Sequence, residues 1–212
     1  MLYDKEKIMG DIGSEKVIGI VRDKNYDDLI TRAKGIIDGG VKVLEIALNS
    51  DKPYDAIRLL DETYGDNITL GAGTVLSATE GAKAIMSGAK FLVSPVFIDE
   101  VYDLCKEREI LYIAGAMTPS EIFVVQKKGL EIIKLFPADF LGKKYLKDIS
   151  GPFGDVKFIP FAGITEKNVK EWLDSGAFAV AVGTAITNPD KNKCDYEKIK
   201  ANASKFVQNL KK

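Results

Sequence analysis

At 212 residues and 46% hydrophobic content, the chain can bury a substantial core as one large domain or two small ones. Its 30 basic and 31 acidic side chains nearly cancel and form no long block, so nothing in them points to nucleic acid. Histidine is absent altogether, which excludes Ser-His-Asp and Cys-His catalysis and most catalytic zinc sites. Proton transfer near neutral pH then falls to a carboxylate, a lysine, a tyrosine or water. No apolar run approaches a membrane span, and Met1-Leu2-Tyr3-Asp4-Lys5-Glu6 does not resemble a signal peptide. Cys105 and Cys194 form no motif, so the expectation is a reduced, cytoplasmic protein.

Along the chain, short apolar runs alternate with longer amphipathic stretches. A flanking helix is expected over residues 3–12. Eight strand-like runs follow, at 17–22, 41–48, 68–71, 91–94, 111–114, 131–135, 157–161 and 178–183. Helical patterns lie between them, including 26–38, 53–64, 79–87, 100–107, 119–128 and 167–175, and a last helix covers 196–210. Ser77 with Glu80, and Thr118 with Glu121, read as capping boxes, the second with Pro119 in the first turn. Glycines close several helices, at Gly39-Gly40, Gly88, Gly129 and Gly176. Strict β/α alternation with eight strands predicts a closed (β/α)8 TIM barrel, with a doubly wound sheet as the competing layout. No linker or composition shift divides residues 1–212, so a single barrel domain with flanking helices is expected.

Lys134 is the most unusual residue of the pattern. It lies among Ile132, Ile133, Leu135 and Phe136, in a run that otherwise reads as a buried strand. Desolvation there disfavours the ammonium form, and a neutral amine can form Schiff bases with carbonyl compounds. A lysine paired with a buried carboxylate is the structural alternative. Period-two alternation puts Lys134 on the inner face of strand 6, opposite in sense to Ile133 and Leu135. The same rule turns Val43, Glu45 and Ala47 inward on strand 2, and places Arg22 at the end of strand 1 on the face of Ile18 and Ile20. Arg22, Glu45 and Lys134 are thus expected to converge at the catalytic end of the barrel. Glu45 is either a structural partner of Lys134 or a proton shuttle beside it.

Small and polar residues follow several strands: Gly71-Ala72-Gly73-Thr74, Ser94-Pro95 and Gly115-Ala116-Met117-Thr118. Ordinary turn chemistry accounts for such segments as well as ligand binding does. After strands 7 and 8 come Phe161-Ala162-Gly163-Ile164-Thr165 and Gly183-Thr184-Ala185-Ile186, where barrels of this kind often hold a phosphate.

Taken together, residues 17–207 resemble the bacterial aldolases that cleave 2-keto-3-deoxy-6-phosphogluconate (KDPG) and 4-hydroxy-2-oxoglutarate (KHG). The segment Gly129-x3-Ile133-Lys134-Leu135-Phe136-Pro137-Ala138-x3-Gly142 is similar to the family's Schiff-base signature throughout. Gly40-Val41-x-Val43-Leu44-Glu45-Ile46 is similar to half of the other signature, and Gly71-Ala72-Gly73-Thr74-Val75, Ser94-Pro95 and Gly151-Pro152-Phe153 also look like the family. The resemblance implies a trimeric class I aldolase without metal or cofactor. Lys134 would form the Schiff base and Glu45 would be the acid/base group, with Thr74, Pro95 and Phe136 lining a pyruvate pocket. Arg22 would contact the substrate's anionic group, and Ala162, Gly163, Gly183 and Thr184 would hold a phosphate. The rival readings are a 4-hydroxy-2-oxoglutarate aldolase, a non-covalent phosphosugar barrel and a metabolite-binding barrel. Three positions depart from the usual pattern. Asn49 stands where an arginine is common, Ala162 replaces one of two adjacent glycines, and Thr184 replaces a serine. The Glu-x-x-Leu-Asn-Ser segment around Asn49, together with Arg22, is more similar to the branch acting on the 6-phosphogalactonate isomer.

Overall fold

The structure is a computed structural model and describes residues 4–187 and 194–210. Tyr3, where the first helix was expected to start, lies outside the described residues. Eight strands form among the described residues: β1 (Val17–Val21), β2 (Val43–Ala47), β3 (Thr69–Gly73), β4 (Phe91–Val93), β5 (Leu111–Ala116), β6 (Ile132–Leu135), β7 (Lys157–Pro160) and β8 (Val180–Val182). All pair in parallel in the order β7-β6-β5-β4-β3-β2-β1-β8. The ring closes where Phe161 bridges Ala181 and the Phe178 N–H donates to the Phe158 carbonyl at 2.9 Å. This is the expected (β/α)8 barrel.

Among the described residues, ten α-helices accompany the strands: α1 (Lys5–Glu15), α2 (Tyr26–Asp38), α3 (Pro53–Tyr64), α4 (Ala78–Met86), α5 (Asp99–Glu107), α6 (Pro119–Lys127), α7 (Ala138–Ser150), α8 (Val169–Asp174), α9 (Thr184–Thr187) and α10 (Tyr196–Leu210). Thr118 completes its capping box with Glu121. At α4 the box is not reciprocal. Ser77 accepts from the Glu80 N–H at 3.2 Å, but the Glu80 carboxylate accepts from Leu76, one residue earlier than a box requires.

Alternation along the strands sorts the side chains into two cores. Leu44, Ile46, Ile133 and Leu135 join the shell between strands and helices. Ile18, Val43, Phe91, Ile113, Ile132 and Ile159 fill the barrel itself. α1 closes the N-terminal end of the barrel. Its Ile8 and Ile12 extend the inner core, and Asp11 accepts from the Thr69 hydroxyl at 2.6 Å. The inner core is therefore sealed below, and the open end is left to the C-terminal ends of the strands.

Two expected loop segments belong to strands instead. Ala72 and Gly73 lie within β3, beyond its expected end at Gly71, and Gly115 and Ala116 lie within β5. Glycine is present there because side chains or backbone already occupy the space. A Cβ on Gly73 would lie 2.4 Å from Glu45 Oε1, and one on Gly115 would lie 1.9 Å from the Pro95 carbonyl oxygen.

Candidate active site

A cavity of about 980 Å³ opens at the C-terminal ends of the strands. Arg22, Glu45, Thr74, Pro95, Lys134, Phe136, Ala162, Gly163, Gly183 and Thr184 all line it, as does Asn49. The structure thus brings every residue singled out from the sequence to one place. It also brings in residues to which the sequence assigned no role of their own in the site. Phe161 and Ala181 come from the closing bridge, and Asn202 comes from α10. Phe161 could have been found by carrying the alternation of Ile159 two residues further. Asn202 has no local signal.

Lys134 projects inward from β6, beside Gly115 of β5 and Ile159 of β7. It is 6% exposed. Its Nζ lies 4.4 Å from the Phe161 ring centre and 5.0 Å from that of Phe136. Among the described residues no hydrogen bond or ion pair reaches this nitrogen within normal contact distance. Burial lowers its pKa below the usual 10.5; the charge of Glu45 opposes that shift and that of Arg22 adds to it. Lys90 is an internal control. It is also buried, but its Nζ donates to the Gly65 and Ile68 carbonyls at 2.9 and 3.2 Å and has Asp61 and Asp66 at 3.7 Å. Lys90 is a satisfied structural cation, whereas Lys134 is an amine facing two aromatic rings.

Glu45 is 1% exposed, and its Oε2 accepts no hydrogen bond among the described residues. Burial raises its pKa above the usual carboxyl value; Lys134 and then Arg22 pull the other way. Glu45 and Lys134 therefore do not form the close, hydrogen-bonded pair of the structural alternative. They sense each other electrostatically across the cavity, and burial pushes each toward its neutral form. Such an arrangement supplies a nucleophilic amine together with a carboxyl group able to donate or accept a proton.

Arg22 follows β1 and donates to the Thr74 hydroxyl at 3.2 Å. Thr74 holds a left-handed backbone with φ of 59°. That conformation is unfavourable for a β-branched residue and is typical of strain held at functional sites. Ala162 has φ of 82° and Gly163 φ of 72°. Ala162 thus adopts a conformation natural to glycine.

Comparison with known proteins identifies the lineage. The profile described as "Aldolase: KDPG and KHG aldolase" matches residues 8–202. The chain belongs to the KDPG and KHG aldolase family. It is 33% identical over 193 residues to the 2-dehydro-3-deoxy-phosphogluconate aldolase of Dickeya dadantii strain 3937, covering 90% of each chain. It is 32% identical over 197 residues to the KHG/KDPG aldolase of Escherichia coli strain K12, covering 92% of each. Its fold is similar, at a TM-score of 0.80 and 30% identity, to the KDPG aldolase of Legionella pneumophila, with 95% of each chain covered. That crystal structure holds pyruvate captured at low pH as a covalent carbinolamine intermediate. In this aldolase family the barrel end carrying Lys134 and Glu45 is the candidate active site.

Proposed function

We propose that this aldolase reversibly cleaves a 6-phosphorylated 2-keto-3-deoxy sugar acid of the gluconate or galactonate series to pyruvate and glyceraldehyde 3-phosphate. The observation that carries the reading is the buried, hydrogen-bond-free amine of Lys134 at the wall of an open cavity. The neutral amine attacks the C2 ketone, and loss of water gives an iminium. That cation accepts the electron pair of the C3–C4 bond as it breaks, so pyruvate remains as an enamine and the C4 fragment leaves as an aldehyde. Protonation of the enamine and hydrolysis release pyruvate and restore the amine. Glu45 moves the protons, taking one from the C4 hydroxyl and serving carbinolamine dehydration. Arg22 and Thr74 hold the substrate carboxylate, while Pro95 and Phe136 wall the pyruvyl group. The backbone at Ala162 and Gly163, with Gly183 and Thr184, holds the phosphate. Side chains and backbone carry every step, so no cofactor is invoked.

A pyruvate-and-borohydride incubation, followed by peptide mass mapping, tests the reading. A reduced pyruvyl adduct on Lys134, absent in Lys134→Ala together with turnover, is expected. If a control aldolase is labelled and this chain is not, the covalent reading fails and the non-covalent barrel readings return. Relative turnover of the phosphorylated acid and 4-hydroxy-2-oxoglutarate then fixes the preferred aldehyde partner.

The assembly is proposed as a homotrimer. Leu76, Val96, Phe123 and Phe140 are apolar and exposed in the single chain, as expected of surfaces that a neighbouring copy covers. Sedimentation equilibrium giving three times the 23.2 kDa chain mass is the expected result. No helix among the described residues is long and apolar enough to cross a membrane, and Cys105 and Cys194 are free. These features support the cytoplasm as the working compartment.

A further inference from the structure

The substrate proposed above is anionic at both ends, so the cavity must hold two anion-binding regions at a fixed separation. The carboxylate end depends on Arg22, and the phosphate end on Thr184 at the start of α9. These residues come from opposite ends of the sequence, and a short helix such as α9 has little stability of its own.

One buried cation joins the two regions. Arg32, on α2, is 6% exposed and outside the cavity lining. Its Nε donates to Asp23 Oδ2 at 2.7 Å, and its Nη1 donates to the Thr187 carbonyl at 2.5 Å. Thr187 is the last described residue of α9. Asp23 is the residue next to Arg22. Its Oδ1 accepts from the Asn25 N–H at 3.0 Å, its carbonyl accepts from the Asp51 N–H at 2.9 Å, and its N–H donates to the Ser50 hydroxyl at 3.4 Å. The Asp23–Arg32 pair therefore fastens the loop after β1, the loop after β2 and α9 to each other. α10 adds a second hold, since Asn202 donates to the Ile186 carbonyl at 3.3 Å.

We infer that Arg32 is a positioning residue that sets the distance between the carboxylate-binding and phosphate-binding ends of the cavity. This inference rests on the proposed function. It predicts a selective defect: loss of Arg32 frees α9 and weakens recognition of the phosphate, while the Schiff-base chemistry at Lys134 is left in place.

The test compares Arg32→Met with the unaltered enzyme on one 2-keto-3-deoxy sugar acid, with and without its 6-phosphate. An Asp23→Asn/Arg32→Met double variant accompanies it, because it leaves no half-buried carboxylate without its partner and so guards against loss of folding. In either variant, KM for the phosphorylated acid is expected to rise roughly tenfold, as for one lost charge-assisted hydrogen bond. The kcat/KM for the unphosphorylated acid should change by less than about twofold, and pyruvate trapping on Lys134 should be unchanged. Equal losses on both acids, or no loss on either, would overturn the inference. Failure of the underlying reading looks different: the unaltered enzyme would trap pyruvate yet not distinguish the two acids, and the inference would fall with it.

Discussion

Gly73→Ala tests whether the placement of Glu45 matters to the chemistry. An added Cβ would lie 2.4 Å from Glu45 Oε1 and 2.6 Å from its carboxyl carbon, whereas ordinary contact begins at 3.4 Å. The carboxyl group must retreat by about 1 Å, the difference between those distances. It is 1% exposed, so the retreat takes place within packed surroundings. Overpacking of this kind costs about 1–3 kcal/mol, which lowers the melting temperature by roughly 2–12 °C in a chain of this size. Displacing a proton-transfer group by ~1 Å lowers kcat by about 100-fold. Continuous detection of pyruvate release measures kcat, and a thermal melt shows that the variant is folded. Lys134 is on a different strand, so the borohydride-trapped adduct should still form on prolonged incubation. A folded Gly73→Ala enzyme with kcat within about threefold of the parent would refute the reasoning, because the Glu45 carboxyl group could then move that far without consequence.

Three further outcomes follow from the same geometry. Lys134→Met replaces an amine without hydrogen bonds by an apolar chain of similar length and should stabilise the inactive protein by about 1–3 kcal/mol near neutral pH. Because the folded pKa of Lys134 lies below the 10.5 of the unfolded chain, the unfolded state binds more protons between those values. The stability gap between variant and parent should therefore narrow as pH rises toward 10.5, and a melting temperature below the parent's would contradict this. Glu45→Gln removes the charge that opposes the lowering of the Lys134 pKa, so the pH midpoint for pyruvate trapping should move to more acidic values. A midpoint that moves upward or stays fixed would mean that Glu45 is uncharged in that range. Ala162→Gly relieves a left-handed backbone and should raise stability by about 0.5–1 kcal/mol, with turnover of the phosphorylated acid retained. A fall in melting temperature would show that the methyl group's packing outweighs its strain.

The sequence exposes most of the barrel because each layer has its own period. Alternating apolar residues on β2 and β6 already place Glu45 and Lys134 on the inner face, and both side chains line the cavity. Gly73 of β3 and Gly115 of β5 are legible only as turn residues, since glycine is commonest there. What makes them strand residues is a distant neighbour: the Glu45 carboxyl group over Gly73, and the Pro95 carbonyl over Gly115. The backbone of Thr74, though not its place in the site, is hidden for the opposite reason, because a β-branched residue argues against the left-handed conformation it adopts. Arg32 is harder still. A cation within an amphipathic helix reads as a solvent-facing residue, and its acceptor at Thr187 is 155 positions away.

These exceptions share a location. Most buried polar groups of this barrel are paired, as Lys90 is at the closed end by two carbonyls and two carboxylates. At the open end Arg32 and Ser94 are paired too, but the residues facing the reaction space are not. Lys134 faces aromatic rings, Glu45 Oε2 lacks a partner, and Thr74 and Ala162 hold left-handed backbones. Each feature alone disfavours the folded state by breaking a local rule of packing or conformation. A random scatter of such defects would place them throughout the chain. Left-handed backbones do recur outside the cavity lining, at Lys16, Lys52 and Glu109, but the buried amine and carboxyl oxygen without hydrogen bonds, Lys134 Nζ and Glu45 Oε2, both belong to residues lining this one cavity, as a site arranged for chemistry predicts, because a hydrogen-bonded ammonium at position 134 would make a more stable barrel and a poorer nucleophile.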